Sequence, residues 1–156
     1  MQKIKKIINS KEKIACFTLD FELDYGSRIN QFNLLEQNQA ELNVLIDLFK
    51  KYNIPVSAFI RTDILTNYSQ SQDLIKKLAT DYHCHSHTHN NQIGQTTEEI
   101  IKSSATFKKY FGYQALGYRV PQGVLQSKDI FTLKSSGFRF SSSVFPSFRP
   151  GKFNNL

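Results

Sequence analysis

Residues 81–89, which read Asp-Tyr-His-Cys-His-Ser-His-Thr-His, contain all four histidines of the chain. Imidazole is the commonest metal-binding side chain, so this concentration points to a metal site. His85 and His89 are four positions apart, and one helical turn between them would place both rings on the same side. Two imidazoles supply half of a zinc-class site, which needs a third protein ligand. The spacing alone leaves open a histidine-rich surface loop that binds metal only by accident.

Carboxylates follow a short apolar run near the start of the chain. Residues 14–19 have the character of a strand covered on both faces. Asp20, Glu22 and Asp24 come next, and the alternation of strand side chains would place them on one face if the strand continued. Three carboxylates on one face are costly without a positive charge between them. The cluster therefore leaves two interpretations equally open, a positive group between the carboxylates or a solvated acidic loop.

Strand and helix patterns alternate along the rest of the chain. Further strands are predicted at 56–60, 82–84, 116–119 and 138–140, and helices at about 35–51, 71–79, 96–110 and 128–135. Thr96-Thr97-Glu98-Glu99 is predicted to be a capping box. The alternation predicts an α/β fold with about five parallel strands. Since sites in such sheets lie at the C-terminal strand ends, we expect the acidic residues, the histidines, Arg119 and the serines at 141–143 to converge.

Composition and charge limit the partners and the compartment. The length of 156 residues suits one domain with a sizeable core. Of the net charge of +7, residues 1–13 carry +4, and we interpret them as a basic N-terminal extension. The rest of the charge is spread out and no apolar run approaches membrane-spanning length, so neither a nucleic-acid partner nor a membrane span is expected. Cys16 and Cys84 are predicted to be buried free thiols, the predicted compartment is the cytoplasm, and the oligomeric state stays open.

Four motifs in a fixed order resemble the polysaccharide deacetylase family, also called the NodB-homology domain or carbohydrate esterase family 4. The resemblance runs from about Ile14 to the C-terminus. Residues 18–22 stand where that family has Thr-Phe-Asp-Asp-Gly, and residues 85–89 match its His-Ser/Thr-x-x-His motif. Residues 119–121 match Arg-x-Pro, and residues 137–143 match a Gly-Phe strand followed by Asp-Ser-Ser, except that Ser141 replaces the aspartate.

The chain departs from the family at two further points. Phe21 stands where the family has its metal-binding aspartate, so the third ligand is assigned to Glu22, with Asp24 as the alternative. The family also has a late Leu-x-His motif whose histidine acts as general acid, and no histidine follows His89. The family's distorted (β/α) barrel has more than five strands. Residues 14–156 are therefore interpreted as an incomplete barrel of this type whose C-terminal part is missing.

The resemblance implies a metal-dependent hydrolase that removes an acetyl group from an N-acetylated (or O-acetylated) sugar or polysaccharide. The implied ligands of a divalent metal, zinc by preference, are Glu22, His85 and His89. The implied catalytic residues are Asp20 as the base and Arg119 as the residue that orients it. The candidate substrate-binding residues are Tyr25, Pro121 and Gln122, with backbone N–H groups near Gln122 as oxyanion donors. His83 is predicted to pack within its strand and His87 to brace the loop.

Three other functions stay open at this point. One is a hydrolase of the same fold that cleaves a small non-peptide C–N bond, such as a ureide or cyclic amide. Another is a non-catalytic remnant that binds metal or glycan, which Ser141 and the absent acid histidine favour. The third is a magnesium phosphatase built on Asp20 and Glu22, but it leaves the histidines unexplained because magnesium prefers oxygen ligands.

Overall fold

The structure, a computed structural model, describes residues 15–33, 37–90, 92 and 96–143. The predicted extension 1–13 lies outside this part of the chain. The strands are β1 Phe17–Phe21, β2 Val56–Ile60, β3 Asp81–Cys84, β4 Gly117–Tyr118 and β5 Phe140–Ser141. The helices are α1 Asp24–Ser27, α2 Gln39–Lys51, α3 Ile64–Asn67, α4 Ser69–Leu78, α5 Thr96–Phe111 and α6 Ser127–Ser135, with a 3₁₀ turn at Pro121–Gly123.

The five strands form one parallel sheet in the order β1-β2-β3-β4-β5. Each strand pairs with the next one in the sequence, so every connection returns over the sheet before the following strand begins. The predicted α/β fold with about five parallel strands is confirmed, and the sheet is open rather than closed into a barrel. Because the strands are parallel, their C-terminal ends meet at one edge, where ligand sites in such sheets lie.

The apolar core consists of two clusters of buried residues. The larger joins the ends of β1 and β2 to helices α2–α4, and it contains Phe21, Leu42, Ile46, Ile60 and Ile75. The smaller joins β3 and β4 to helices α5 and α6, and it contains Cys84, Ile100, Phe107, Tyr118 and Leu133. Leu42 and Ile46, four positions apart, are the buried residues of α2, as expected for the apolar face of the helix predicted at about 35–51. Residues 34–36, at the start of that prediction, lie outside the described residues.

Two local predictions were wrong. Cys16 is exposed, since it precedes an edge strand whose Phe17 is itself exposed, whereas Cys84 is buried as predicted and both thiols are free. The predicted capping box of α5 is not formed by its side chains. The Thr96 hydroxyl donates instead to Asp129 of α6 (2.7 Å), and the Glu99 carboxylate accepts a hydrogen bond from the His87 amide.

Among the described residues, no helix is long and apolar enough to cross a lipid bilayer.

Candidate metal and catalytic site

His85 follows directly after β3 and its ring is fixed by a backbone contact. Its amide donates to the carbonyl oxygen of Ile60 (2.7 Å), which continues the pairing of β3 with β2. Its Nδ1 lies 2.9 Å from the carbonyl oxygen of Arg119. A carbonyl oxygen only accepts hydrogen bonds, so Nδ1 is the donor in this contact and Nε2 is the nitrogen that faces the carboxylates. This arrangement is typical of a metal-binding histidine, because the second ring nitrogen sets the tautomer.

The loop from His85 to His89 is a turn with left-handed residues and contains no helical turn. Ser86 has φ 62° and His89 has φ 65°, both in the left-handed region. The hydroxyl of Ser86 accepts a hydrogen bond from the His89 amide (2.9 Å), which closes the turn. The two rings converge, with centroids 5.1 Å apart, without the helical turn that would also have placed them on one side. The left-handed loop supplies the geometry instead.

Glu22 completes a three-residue cluster with these two histidines. Its Oε2 lies 2.6 Å from Nε2 of His89 and 3.6 Å from Nε2 of His85. The ligand atoms of the three residues all lie within 4.8 Å of one another. Asp24, the alternative third ligand, is buried and accepts a hydrogen bond from the Asn33 amide (2.9 Å). Strand β1 ends at Phe21, so the two-residue alternation that would align Asp24 with Glu22 is lost.

The electrostatics of Glu22 fit a bound cation. Its Oε2 is buried and faces Nε2 of His89 at 2.6 Å. Burial by itself would raise the pKa of this carboxyl. The His85 and His89 imidazoles have the opposite and larger effect, and they lower the pKa to about 2. Glu22 is therefore ionised at neutral pH. Two imidazole nitrogens and one carboxylate oxygen are the ligand set of catalytic zinc sites, which keep a fourth position open.

Asp20 lies beside this cluster and pairs with Arg119. Nη1 of Arg119 donates to Oδ1 of Asp20 (2.5 Å), while the other carboxylate oxygen lies 4.0 Å from Nε2 of His85. The Asp20 side chain is 35% exposed, so it is open to solvent. A carboxylate held on one oxygen and open on the other is suited to accept a proton from a water molecule near the cluster.

Three residues to which the sequence analysis gave no individual role hold the guanidinium of Arg119. Its Nη2 donates to the hydroxyls of Ser142 (2.8 Å) and Thr18 (3.1 Å), and its Nε donates to the Ser142 carbonyl oxygen (3.2 Å). The guanidinium carbon lies 3.9 Å from the ring centroid of Phe59. These contacts fix the position of Arg119 with one carboxylate partner, Asp20.

The three serines at the end of β5 each contact a different partner. Ser141, which replaces the family aspartate, lies with its hydroxyl 2.7 Å from that of Ser143. The Ser143 hydroxyl accepts a hydrogen bond from the Val120 amide (2.8 Å). Ser142 therefore contacts the arginine side chain and Ser143 the backbone beside it. The sequence signal was the serine run itself, but the run does not tell which hydroxyl faces Arg119.

A cavity opens over the cluster at the edge of the sheet. Its wall is formed by Asp20, Glu22, Tyr25, Gly26, Arg28, His85, His89, Arg119, Val120, Gln122 and Gly123. Tyr25 has φ 55° and exposes 63% of its surface at the rim. Pro121 is buried and does not line the cavity, but Gln122 does, with φ 57°. The oxyanion role of amides near Gln122 stays a prediction; the neighbouring Gly123 and Val124 amides donate to the carbonyls of Val120 and Pro121.

The other two histidines support the sheet and the loop, as predicted. His83 is buried with its ring against Phe59 and Phe140, and its Nε2 lies 2.9 Å from the Asp81 carboxylate. Burial lowers the pKa of His83. Nδ1 of His87 lies 3.0 Å from the hydroxyl of Thr62, which ties the loop to the residues after β2. Neither histidine belongs to the Glu22-His85-His89 cluster.

Solved structures with this fold belong to carbohydrate esterase family 4 and to deacetylases. A Streptococcus pyogenes deacetylase, solved with acetate, is 13% identical with a TM-score of 0.59, over 88% of this chain and 61% of that chain. A pseudoenzyme of carbohydrate esterase family 4 from Bacillus anthracis is 12% identical with a TM-score of 0.59, over 84% of this chain and 43% of that one. At these identities the likeness concerns the fold alone, and it shows that the open sheet is of the NodB type.

The sequence comparisons identify the family. Residues 23–141 match the family model described as polysaccharide deacetylase, and the chain belongs to that family. A peptidoglycan deacetylase from Helicobacter pylori (strain ATCC 700392 / 26695) is 25% identical over 104 residues, which are 64% of this chain and 36% of the relative. The chain therefore spans about a third of the length of this curated relative. The resemblance found in the four motifs is confirmed.

Proposed function

We propose that this chain carries the metal-binding and base-bearing part of a deacetylase site, which removes the acetyl group of an N-acetylated (or O-acetylated) saccharide. The observation that carries the proposal is the Glu22-His85-His89 cluster beside the Asp20–Arg119 pair. The two groups share the C-terminal edge of the sheet and one cavity wall. Membership in the polysaccharide deacetylase family supports the reaction class.

The three cluster residues would hold a divalent metal, with zinc as the first candidate because two of the ligands are imidazoles. When bound, such an ion polarises a carbonyl group and lowers the pKa of a coordinated water toward about 7. The chain contributes side chains that already face a common point. Glu22 is ionised, and the Arg119 carbonyl engages Nδ1 of His85, so that Nε2 is the ring nitrogen that faces Glu22.

Asp20 is proposed to take the proton of the attacking water. Its carboxylate faces the cluster from the side of His85, and Arg119 holds it from the other side. A positioned general base contributes roughly 10²–10⁴-fold in rate. Arg119 can orient Asp20 because Ser142 and Thr18 fix the rest of its guanidinium. A charge-assisted pair of this kind keeps the carboxylate in a fixed orientation.

The cavity rim supports a saccharide as the substrate. The exposed Tyr25 ring offers an apolar face with a polar tip, which suits a sugar ring, and Gln122 adds an amide to the same wall. The Helicobacter relative is a peptidoglycan deacetylase, so N-acetylated glucosamine oligomers are the first substrates to test. The cytoplasmic location predicted from the sequence stays a prediction, and it would favour small soluble saccharides over an extracellular polymer.

A second candidate function is binding of metal or glycan without turnover. The observation that favours it is that no histidine follows His89 in the sequence, so the family's general acid has no counterpart among these residues. A pseudoenzyme with the same fold shows that the fold is not a guarantee of catalysis. The two candidates share the metal cluster and differ in the reaction.

The test combines zinc titration with measurement of acetate release. We expect about one zinc per chain, and a larger loss of affinity in Glu22→Ala than in Asp24→Ala, since the Asp24 carboxylate accepts the Asn33 amide away from the cluster. Asp20→Asn should keep zinc and lose acetate release by roughly 10²-fold or more. Zinc binding without acetate release in the wild type would favour the binding module. Absence of zinc binding, or a larger loss in Asp24→Ala, would refute the site as assigned.

A further inference from the structure

Helix α5 directs a buried carboxylate to the loop that joins the two histidines of the cluster. Oε2 of Glu99 accepts hydrogen bonds from the amides of His87 (2.9 Å) and Thr88 (2.7 Å), and Oε1 accepts one from the Thr88 hydroxyl (2.7 Å). Glu99 is only 7% exposed. Within the described part of the chain its carboxylate has no ion-pair partner, so these three donors compensate its burial.

The loop has the backbone shape of an anion-binding nest. Two successive amides, those of His87 and Thr88, point at the same oxygen of Glu99. The left-handed residues Ser86 and His89 flank them, which is the kind of conformation that makes consecutive N–H groups converge. If the loop moved, the buried carboxylate would lose its donors, and an uncompensated buried charge is strongly destabilising.

The opposite side of the loop is held by the residues that follow β2. The Thr62 amide donates to the Ser86 carbonyl oxygen (3.1 Å), and the Asp63 amide donates to the His87 carbonyl oxygen (3.1 Å). The loop is therefore held by hydrogen bonds from the backbone after β2 and by hydrogen bonds to the Glu99 side chain. His85 and His89 are the two ends of this segment, so these hydrogen bonds help to set the distance between their imidazoles.

We propose that Glu99 is a positioning residue of the metal cluster. It holds the segment between His85 and His89 in the conformation that places both Nε2 atoms beside Glu22. The inference rests on the metal site of the proposed function, and it assigns to this buried carboxylate a role that the four sequence motifs do not include. Loss of a residue that orients metal ligands typically lowers metal affinity by 10–100-fold.

The experiment compares zinc dissociation constants of the wild-type chain with those of Glu99→Ala, Glu99→Gln and Glu98→Ala. Glu98 is the matched control, because it is the neighbouring glutamate, exposed and paired with Lys102 (2.6 Å) on the same helix. We expect Kd to rise about 10–100-fold in Glu99→Ala and to stay unchanged in Glu98→Ala. Glu99→Gln should recover most of the affinity, since its amide oxygen accepts both N–H groups and its NH₂ can donate to the Thr88 hydroxyl.

A second measurement examines the loop without metal. Hydrogen exchange at the His87 and Thr88 amides of the metal-free chain should be faster in Glu99→Ala and unchanged in Glu98→Ala, because only the first variant removes their acceptor. If Glu99→Ala does not fold, Thr88→Val replaces it, since that change removes one donor and should raise Kd less but in the same direction.

The outcomes separate this inference from the proposed function. Wild-type affinity in Glu99→Ala, or unchanged exchange at both amides, would overturn the role of Glu99 while leaving the metal site intact. Equal weakening in Glu98→Ala would also overturn it, since the effect would then be a general one of charge on α5. Failure of the wild-type chain to bind zinc would refute the metal site and this inference with it, and the exchange data would still report whether Glu99 holds the loop.

Discussion

Gly117 in β4 lies where the rings of two neighbouring residues leave no room for a side chain. A Cβ atom added there would contact Cζ of Phe140, lie 2.7 Å from Cε2 of the same ring and lie 2.9 Å from Cγ of His83. Carbon atoms at optimal separation are about 3.5–4.0 Å apart, so at least one ring must move by close to an ångström in Gly117→Ala. The Phe140 ring is 47% exposed and is the one that can turn outward, because His83 is buried.

The expected cost of Gly117→Ala follows from these contacts. Insertion of a methyl group into a packed site typically costs about 1–3 kcal/mol. A displaced Phe140 would also lose its edge-to-face contact with His83, whose ring centroid lies 4.9 Å away, and such a contact is worth about 0.5–1.5 kcal/mol. We expect the free energy of unfolding to fall by about 2 kcal/mol, which corresponds to a drop in Tm of about 4–8 °C for a chain of this size.

Urea unfolding of a double-mutant cycle tests this prediction. In a chain that already carries Phe140→Ala, the cost of Gly117→Ala should be much smaller than in the wild type, because the obstructing ring is absent. Gly112→Ala is the control: a Cβ atom there meets nothing within 4 Å, but φ is 79°, so its cost of about 1 kcal/mol is one of backbone strain. The cost of Gly112→Ala should be the same with and without Phe140→Ala. Additive effects of Gly117→Ala and Phe140→Ala, or a cost for Gly117→Ala below about 0.5 kcal/mol, would refute the steric explanation.

Two further predictions concern thiol reactivity and pH. In the native chain a thiol reagent should modify Cys16 rapidly and Cys84 only on unfolding, because Cys16 is exposed while burial raises the pKa of Cys84; equal rates would contradict the packing. Burial would raise the pKa of Glu22, but the two imidazoles outweigh this effect and hold the pKa at about 2, below its ordinary 4.5. The contribution of Glu22 to metal-free stability is therefore present above pH 4.5 and lost as pH falls toward 2. Glu22→Gln should reduce the change of the unfolding free energy with pH in that window. An unchanged pH dependence would contradict the lowered pKa of Glu22.

Local pattern was sufficient to predict the order of the elements and the residues at the strand ends. The apolar runs at 56–60 and 82–84 and the helical stripe of Leu42 and Ile46 depend on neighbouring residues in the chain, so they can be recognised without the fold. The parallel topology follows from the alternation of the elements. Once the sheet is parallel, Asp20, His85 and Arg119 must approach one another at its C-terminal edge, as they do.

Whether Glu22 or Asp24 lies beside the two histidines depended on where β1 ends. Alternation along a continued strand would have placed both carboxylates on the same face. The strand stops at Phe21, and Asp24 turns into a contact with the Asn33 amide, which the sequence does not specify. Likewise, the spacing of His85 and His89 predicted that the rings meet, but not that left-handed residues rather than a helical turn bring them together.

The sequence by itself thus determined the alternating α/β order, the family and the polar residues that end each strand. Only the tertiary structure decided which side chains support them. Ser142 rather than Ser141 reaches Arg119, and Glu99, which lies outside the four family motifs, binds the loop between the two histidines. The physical reason is that these contacts join residues from different elements across distances of ten or more positions. Their partners are set by how helices and strands pack, and no local periodicity encodes that arrangement.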